Sequence, residues 1–280
     1  MRSNSSLPTP VLKKRSRAMA SPRVGWPRSC WQSFIIAFGT DFFSNRAYEW
    51  RAMAIATEAG SSSIDFLQSV DTPTLANAIE TLKLRPNAEG FTPVGVRCVF
   101  PEFGRMVGYA VTAHVETMSQ GPMDGSKFID LYAAVAQSPK PAIVVFQEVG
   151  PFPDYAAHCG EVMATVFTRL GAIGLVTDCA VRDVPEVRAI KFRYFARGMV
   201  ASHANFHIVR VGVPVQVHGL TVHPGDLLHG DENGLISVPR EALNGLPAAV
   251  HEVRTREKSL MDFVRGPDFT LDGLKGKILE

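Results

Sequence analysis

Between residues 142 and 200 the chain alternates apolar runs with segments of helical period: AIVVF (142–146), GEVMATVFTRL (160–170), AIGLVT (172–177), a helix opening near Val184, then YFARGMV (194–200). Strands separated by whole helices cannot pair as hairpins, so the alternation predicts parallel strands joined by crossovers, an α/β fold with a central βαβ unit. Upstream, DTPTLANAIETL from Asp71 predicts a helix with Thr72 as cap, Pro73 in the first turn and Leu75, Ala78, Ile79 and Leu82 on one face. GYAVTAHVET (108–117) predicts a strand, and SKFIDLYAAVAQ (126–137) a helix whose Phe128, Leu131, Tyr132 and Val135 share a face. VPVQVHGLTVHPGD and NGLISVP are short strands broken by His-Gly, Pro-Gly and Asn-Gly turns, a β-hairpin region. REALNGLPAAVHEVRTREKSLMDFV (240–264) then predicts a C-terminal helix.

With 280 residues, 46% of them hydrophobic, the chain can bury one large core. The expected organisation is a basic extension over residues 1–55, one domain over 60–265 and a tail over 266–280. Residues 1–40 hold Arg2, Lys13, Lys14, Arg15, Arg17, Arg23 and Arg28 and no acid. That extension reads as a disordered tail or as sequence upstream of a later start, with Met53 the candidate, rather than as a transit segment. Beyond it acids outnumber bases, so no nucleic-acid surface is expected. Cys30, Cys98, Cys159 and Cys179 form no CxxC pair, which argues for a reducing, cytoplasmic setting over a disulfide scaffold or zinc ribbon. The run CWQSFIIAFG is too short to span a bilayer, so no membrane association is expected.

The stretch TDCAVRDVPEV (177–187) sets Asp178, Arg182 and Asp183 just past the strand 172–177. In open α/β sheets ligands gather beyond the carboxyl ends of the strands. Asp183 also precedes VPEV, where it would cap the next helix and pair with Arg182 or Arg188. The turn before the helix at Gly160 lies on the same sheet edge, so Glu161 can approach Asp183 across one cleft. Two carboxylates beside an arginine suit a hard divalent cation, which takes one or two protein carboxylates and fills its other positions with water and substrate oxygens. Glu161 otherwise reads as an acid favoured by the helix dipole.

GEVMATVFTRLGAIGLVTDCAVRDVPEVRAIKFRYFARG, followed by VPVQVHGLTVHPGDLLHGDENGLISVP, resembles the regulator of ribonuclease activity A-like (RraA-like) family, over about residues 65 to 265. That family includes the class II 4-hydroxy-4-methyl-2-oxoglutarate (4-carboxy-4-hydroxy-2-oxoadipate) aldolases. The resemblance implies a β/β/α swivelling-type domain. Its aldolases carry an acid, twenty intervening residues and then Arg-Asp, whereas the ribonuclease regulators lose the last aspartate; here twenty residues separate Glu161 from Arg182-Asp183. By carry-over, Asp183 is the ligand of Mg²⁺ or Mn²⁺, Arg182 contacts the substrate carbonyl, and Glu161 orders metal-bound water. The backbone N–H groups of Gly160, Glu161, Val162 and Met163 would receive the pyruvyl carboxylate.

Retro-aldol cleavage or decarboxylation of a 2-oxo acid such as 4-hydroxy-4-methyl-2-oxoglutarate or oxaloacetate, leaving pyruvate as its enolate, is the implied reaction. Neither Lys127 nor Lys140 has an apolar run around it that would make it a Schiff-base nucleophile. The resemblance also implies a homotrimer or hexamer in which a neighbouring subunit supplies a glutamate, with Glu257 the candidate; alone, Glu257 reads as a solvated residue pairing with Arg254. Three departures stand out: Glu161 replaces the aldolase aspartate, Cys179 replaces a usual glycine, and His203, His207 and His229 are additions. A glycine there would permit positive φ, so Cys179 means either that the backbone does not need it or that the pocket differs. His203 and His207 have the spacing of a helical zinc pair but no helix around them; His203 and His229 are candidates for substrate contact. The competing reading is a non-enzymatic binding protein of the ribonuclease-regulator type. A methyltransferase is disfavoured by the lack of a GxGxxG loop after a strand.

Overall fold

The long central strand, Met106–Glu116, is apolar at nearly every position and buried almost throughout, as a strand covered on both faces must be. The computed structural model describes residues 61–279, and the expectations for residues 1–55 lie outside them. We number strands β1 (Arg97–Cys98), β2 (Met106–Glu116), β3 (Ala142–Glu148), β4 (Ala172–Thr177), β5 (Ala180–Val181), β6 (Arg193–Ala196), β7 (Gly198–Met199), β8 (His207–Val211), β9 (Val215–Val217), β10 (Leu220–Val222), β11 (Leu227–Asp231) and β12 (Gly234–Val238). Helices are α1 (Ser61–Ser69), α2 (Thr72–Thr81), α3 (Gly125–Gln137), α4 (Glu161–Arg169), α5 (Val184–Ala189), α6 (Leu246–Arg265) and α7 (Leu271–Leu279).

The main sheet runs β1-β6-β4-β3-β2-β11-β12. β2, β3, β4 and β6 pair in parallel, as the strand–helix alternation requires. β11 and β8 both add antiparallel to β2, β11 along Met106–Tyr109 and β8 along Ala113–Glu116, with β12 antiparallel on β11. β9 and β10 form the predicted hairpin. Beyond Arg265, Leu271–Leu279 is helical, and the closing helix begins at Leu246 after a 3-10 turn over Arg240–Ala242.

Three apolar clusters hold the layers together. One joins the sheet to α3, α4 and α5 through Leu131, Val135, Phe146, Phe167, Phe192 and Tyr194. A second packs α1, α2 and α6 on β2, β11 and β12, through Leu67, Leu75, Ile79, Leu246 and Val253. The third lies under the β9–β10 hairpin. Each fully buried Leu or Phe contributes about 1.5–3 kcal/mol by leaving water.

The cap of α2 differs from expectation. Asp71 is the N-cap, its carboxylate accepting from the Thr74 N–H and Thr74 Oγ1, both at 2.9 Å. Thr72 is drawn inward: its N–H donates to Asp231 Oδ2 at 2.8 Å and its hydroxyl meets His229 Nδ1 at 3.0 Å. Adjacent residues could each cap, and the buried partners of Thr72 decided between them. His229 is thereby explained. Its Nε2 reaches the carbonyls of Leu67 and Val70 at 3.0 and 3.1 Å, so Nε2 carries the proton and Nδ1 accepts from Thr72. Burial lowers its pKa, keeping it neutral. The expectation of a substrate contact fails for His229, which ties α1 and α2 to the sheet. Among the described residues no helix is long and apolar enough to cross a membrane.

Candidate active site

The loops after β3 and β4 meet at the carboxyl edge of the parallel strands. Arg182 N–H donates to the Cys159 carbonyl at 3.0 Å, and Glu161 N–H donates to Asp183 Oδ2 at 2.9 Å. The sequence cluster and the start of α4 are therefore one structure. Asp183 occupies the N-cap position of α5 but makes no side-chain cap there. It is left-handed, φ 56°, a conformation that costs a non-glycine residue about 1 kcal/mol and that aspartate tolerates better than most. The twist turns its carboxylate away from α5 and onto the first N–H of α4, with Arg182 Nε 3.6 Å from Oδ2. Asp183 thus makes no side-chain cap, while its expected pairing with Arg182 is present; Arg188 pairs with Glu102 and lies over the Phe100 ring.

Gly160 makes this approach possible. A Cβ on it would stand 2.3 Å from Asp183 Oδ2 and 2.9 Å from Arg182 Nε. Beside this junction opens a pocket of about 230 Å³, whose lining includes Gly160, Arg182, His158 and His203. Val162 and Met163 also line it, whereas Glu161 does not and is exposed to solvent. Cys159 faces the same pocket, but burial pushes its thiol up to about 12, so it packs as a neutral group rather than reacting as a thiolate. His203 Nδ1 lies 2.8 Å from the Ala204 carbonyl, which assigns the proton to Nδ1 and leaves Nε2 as an acceptor. His207 begins β8 while His203 sits in the preceding loop, so the two do not share a helical face. Glu257 is exposed on α6, where its Oε1 accepts from Asn77 Nδ2 at 3.2 Å, and Arg254 turns to Asp71 rather than to it.

Behind the pocket lies a buried polar chain that the sequence does not announce. Glu148 Oε1 accepts from the Thr117 and Gly150 N–H groups, and Oε2 lies 2.9 Å from His158 Nε2. His158 Nδ1 is 2.6 Å from Thr177 Oγ1, which in turn accepts from the Cys179 N–H at 3.1 Å. Burial works to raise the Glu148 carboxyl, but the hydrogen bonds from His158 and its other donors outweigh it and hold it down; burial lowers His158. A carboxylate beside a neutral imidazole fixes the proton on Nε2 and makes Nδ1 the acceptor from Thr177. The chain anchors the loop that delivers Gly160. Glu148, His158 and Cys179 also bring three ligand atoms within 4.8 Å of one another. Each is already engaged within the protein, Cys179 Sγ donating to the Ala156 carbonyl at 2.9 Å, and the mixed N, O and S set is poorly suited to Mg²⁺. Asp183 fits a hard cation better: it offers carboxylate oxygens, its Oδ1 makes no hydrogen bond among the described residues, and its side chain is 36% exposed.

Cys179 raises no backbone problem, since the positive φ of this segment falls at Asp183 and not at Cys179. At Lys140, desolvation lowers the ammonium pKa. It precedes β3, however, at the opposite edge of the sheet from the pocket, and donates to the Val135 carbonyl. Lys127 pairs with Asp130 at 3.7 Å.

Asp178 is the most perturbed acid in the cluster. Burial pushes its carboxyl up to about 7, beyond what the bond from the Glu148 N–H at 2.9 Å restores. A carboxyl raised in the folded state binds its proton more tightly there than in the unfolded chain, so stability falls as pH rises from 3.8 through about 7. Asp178→Asn keeps the acceptor and removes the charge. It should stabilise the protein by about 2 kcal/mol at pH 8 and by little at pH 4, read by denaturant unfolding across that range; a gain independent of pH would contradict the assignment.

A family model described as RraA-like, Aldolase/RraA, matches residues 72–237, more than half of the chain. The chain belongs to the RraA-like family. This RraA-like chain is 33% identical over 85 residues to a putative 4-hydroxy-4-methyl-2-oxoglutarate aldolase of Halalkalibacterium halodurans, across 30% of this chain and 40% of that protein. It is 30% identical over 100 residues to an uncharacterized protein of Methanocaldococcus jannaschii, across 35% and 48%. The RraA-like chain thus spans less than half the length of these curated relatives. Among solved structures, an uncharacterized protein from Pseudomonas syringae pv. tomato superposes with a TM-score of 0.61 at 24% identity, covering 78% of this chain and 95% of that one. RraAS2 of Streptomyces coelicolor, described as an unusual member of the RNase ES inhibitor RraA protein family, gives 0.58 at 20%, covering 73% and 98%. These likenesses show the RraA fold.

Proposed function

We propose that this chain is a divalent-metal-dependent carbon–carbon lyase that releases pyruvate from a 2-oxo acid, by retro-aldol cleavage or by decarboxylation. The single observation that carries the reading is Asp183 in left-handed conformation, its carboxylate withdrawn from its own helix and set beside Arg182 and the first turn of α4. Conformational energy is spent here to hold a carboxylate beside a guanidinium that lines the pocket, which supports a working site. The partial likeness to a putative aldolase supports the same chemistry.

Asp183 would hold Mg²⁺ or Mn²⁺, which when bound supplies Lewis-acid polarisation of the 2-oxo group. The substrate carboxylate lies at the start of α4, where N–H groups near Val162 and Met163 meet it with the positive end of the helix dipole. Arg182, whose Nε already faces Asp183, puts a fixed positive charge where the enolate oxygen develops, a group preorganised to be strongest in the transition state. The substrate hydroxyl loses its proton to water ordered by the Glu161 carboxylate, or to His203 Nε2, the acceptor nitrogen left by the Ala204 contact. Glu257, exposed on α6, would serve a neighbouring subunit's site in a trimer or hexamer.

The reading is tested by presenting oxaloacetate and 4-hydroxy-2-oxo acids with Mg²⁺ or Mn²⁺ and following pyruvate. Turnover on at least one is expected; none on any, with the protein folded, would favour a non-enzymatic binding role of the ribonuclease-regulator kind.

A further inference from the structure

The lining of the pocket beside Gly160 and Arg182 is of two kinds. Its polar part is one guanidinium, Arg182, the start of α4 and His203, since His158 is buried and packs its ring against Phe206. Among the described residues lining it, Arg182 is the only arginine or lysine. Its other wall is Met123, Phe128, Tyr132 and Phe206. Phe128 and Tyr132 stand one turn apart on α3, so both rings project from one face. Phe128 meets Phe206 edge-on, with centroids 6.0 Å apart. Phe206 is backed by Phe146 at 6.0 Å and His158 at 5.7 Å, and Tyr132 by Phe167 at 5.8 Å. The rings are therefore held in place from behind, and the wall is present before any ligand arrives.

That arrangement discriminates by charge and shape. A single carboxylate is met by Arg182 and the helix start. A second carboxylate, carried at the far end of a short 2-oxo acid, would be pressed against aromatic faces with no further cation among the described lining residues to receive it, and an unpaired charge there loses its hydration without replacement. An aryl or branched apolar tail would instead stack edge-to-face on the fixed rings.

We propose that the site selects 2-oxo acids with one carboxylate and an aromatic or apolar tail, in preference to dicarboxylic 2-oxo acids. The inference rests on the reading of this pocket as a 2-oxo acid site, and its test separates the two. Binding of phenylpyruvate and of 2-oxoglutarate is compared by calorimetry in the presence of Mg²⁺. Pyruvate release is measured in parallel from 4-hydroxy-4-phenyl-2-oxobutanoate and from 4-hydroxy-4-methyl-2-oxoglutarate. Phenylpyruvate is expected to bind at least about tenfold more tightly than 2-oxoglutarate. Met123→Arg, at a residue 60% exposed and so outside the core, adds a second cation to the apolar wall and should narrow that ratio or reverse it. Equal or weaker binding of phenylpyruvate, or none, overturns the selectivity, whatever the turnover. Selective binding without pyruvate release from either substrate upholds the selectivity and counts against the lyase reading alone.

Discussion

Asp183→Asn removes pyruvate release by about 10³-fold or more, the several kcal/mol expected when a Lewis-acid cation loses its carboxylate ligand. The variant separates chemistry from fold. Asparagine accepts the left-handed backbone that Asp183 adopts at φ 56°. Its side-chain carbonyl can still accept from the Glu161 N–H, as Oδ2 does at 2.9 Å. What is lost is the negative charge, so the melting temperature should stay within about 3 °C of the parent. Asp183→Ala abolishes activity too but is less clean, since alanine loses the hydrogen bond and bears the strained backbone, a destabilisation of about 1 kcal/mol. A fully active Asp183→Asn protein would move the cation to other residues.

Gly160→Ala has the second largest expected effect, and it acts through geometry rather than charge. The backbone at Gly160 is extended, φ −136° and ψ −168°, so alanine suffers no conformational strain. Its methyl would nevertheless meet Asp183 Oδ2 at 2.3 Å and Arg182 Nε at 2.9 Å. Both neighbours are partly exposed side chains that can swing aside, and the fold should survive with little loss. They are also the two groups the mechanism uses. Displacement on the order of 1 Å costs about 10²-fold in rate when reacting groups depend on fixed placement. The expected result is kcat lowered about 10²-fold with near-parental stability; activity within about twofold of the parent would mean that the junction of Gly160, Arg182 and Asp183 is not the reaction centre.

Much of the scaffold was legible because its periodicity is strong. The run AIGLVT is continuously apolar and bounded by Gly171 and Asp178, and it forms a strand over those residues, Ala172–Thr177. The alternation of strands with helices required parallel pairing, and that pairing set the 160 and 182 loops on one edge of the sheet. Local pattern fell short where long-range contacts decided. Asp71 and Thr72 are both good caps, and only the buried partners Asp231 and His229, far along the chain, select Asp71. Asp183 reads as a helix cap by its neighbours, whereas its left-handed backbone turns the carboxylate elsewhere. Glu148, His158 and Thr177 come from separate segments with no characteristic spacing, so nothing in the sequence signalled their chain of hydrogen bonds. The apolar wall at Phe128 and Tyr132 was legible only as a helix face, since a helical stripe of aromatics reads first as core.

The central claim is that pyruvate release depends on a divalent cation at Asp183. It is tested most directly by following pyruvate from a 2-oxo acid before chelation, after chelation and after Mg²⁺ or Mn²⁺ is restored. Chelation should bring the rate to background, and either cation should return it in the parent but not in Asp183→Asn; a rate unchanged by chelation would mean that no divalent cation takes part.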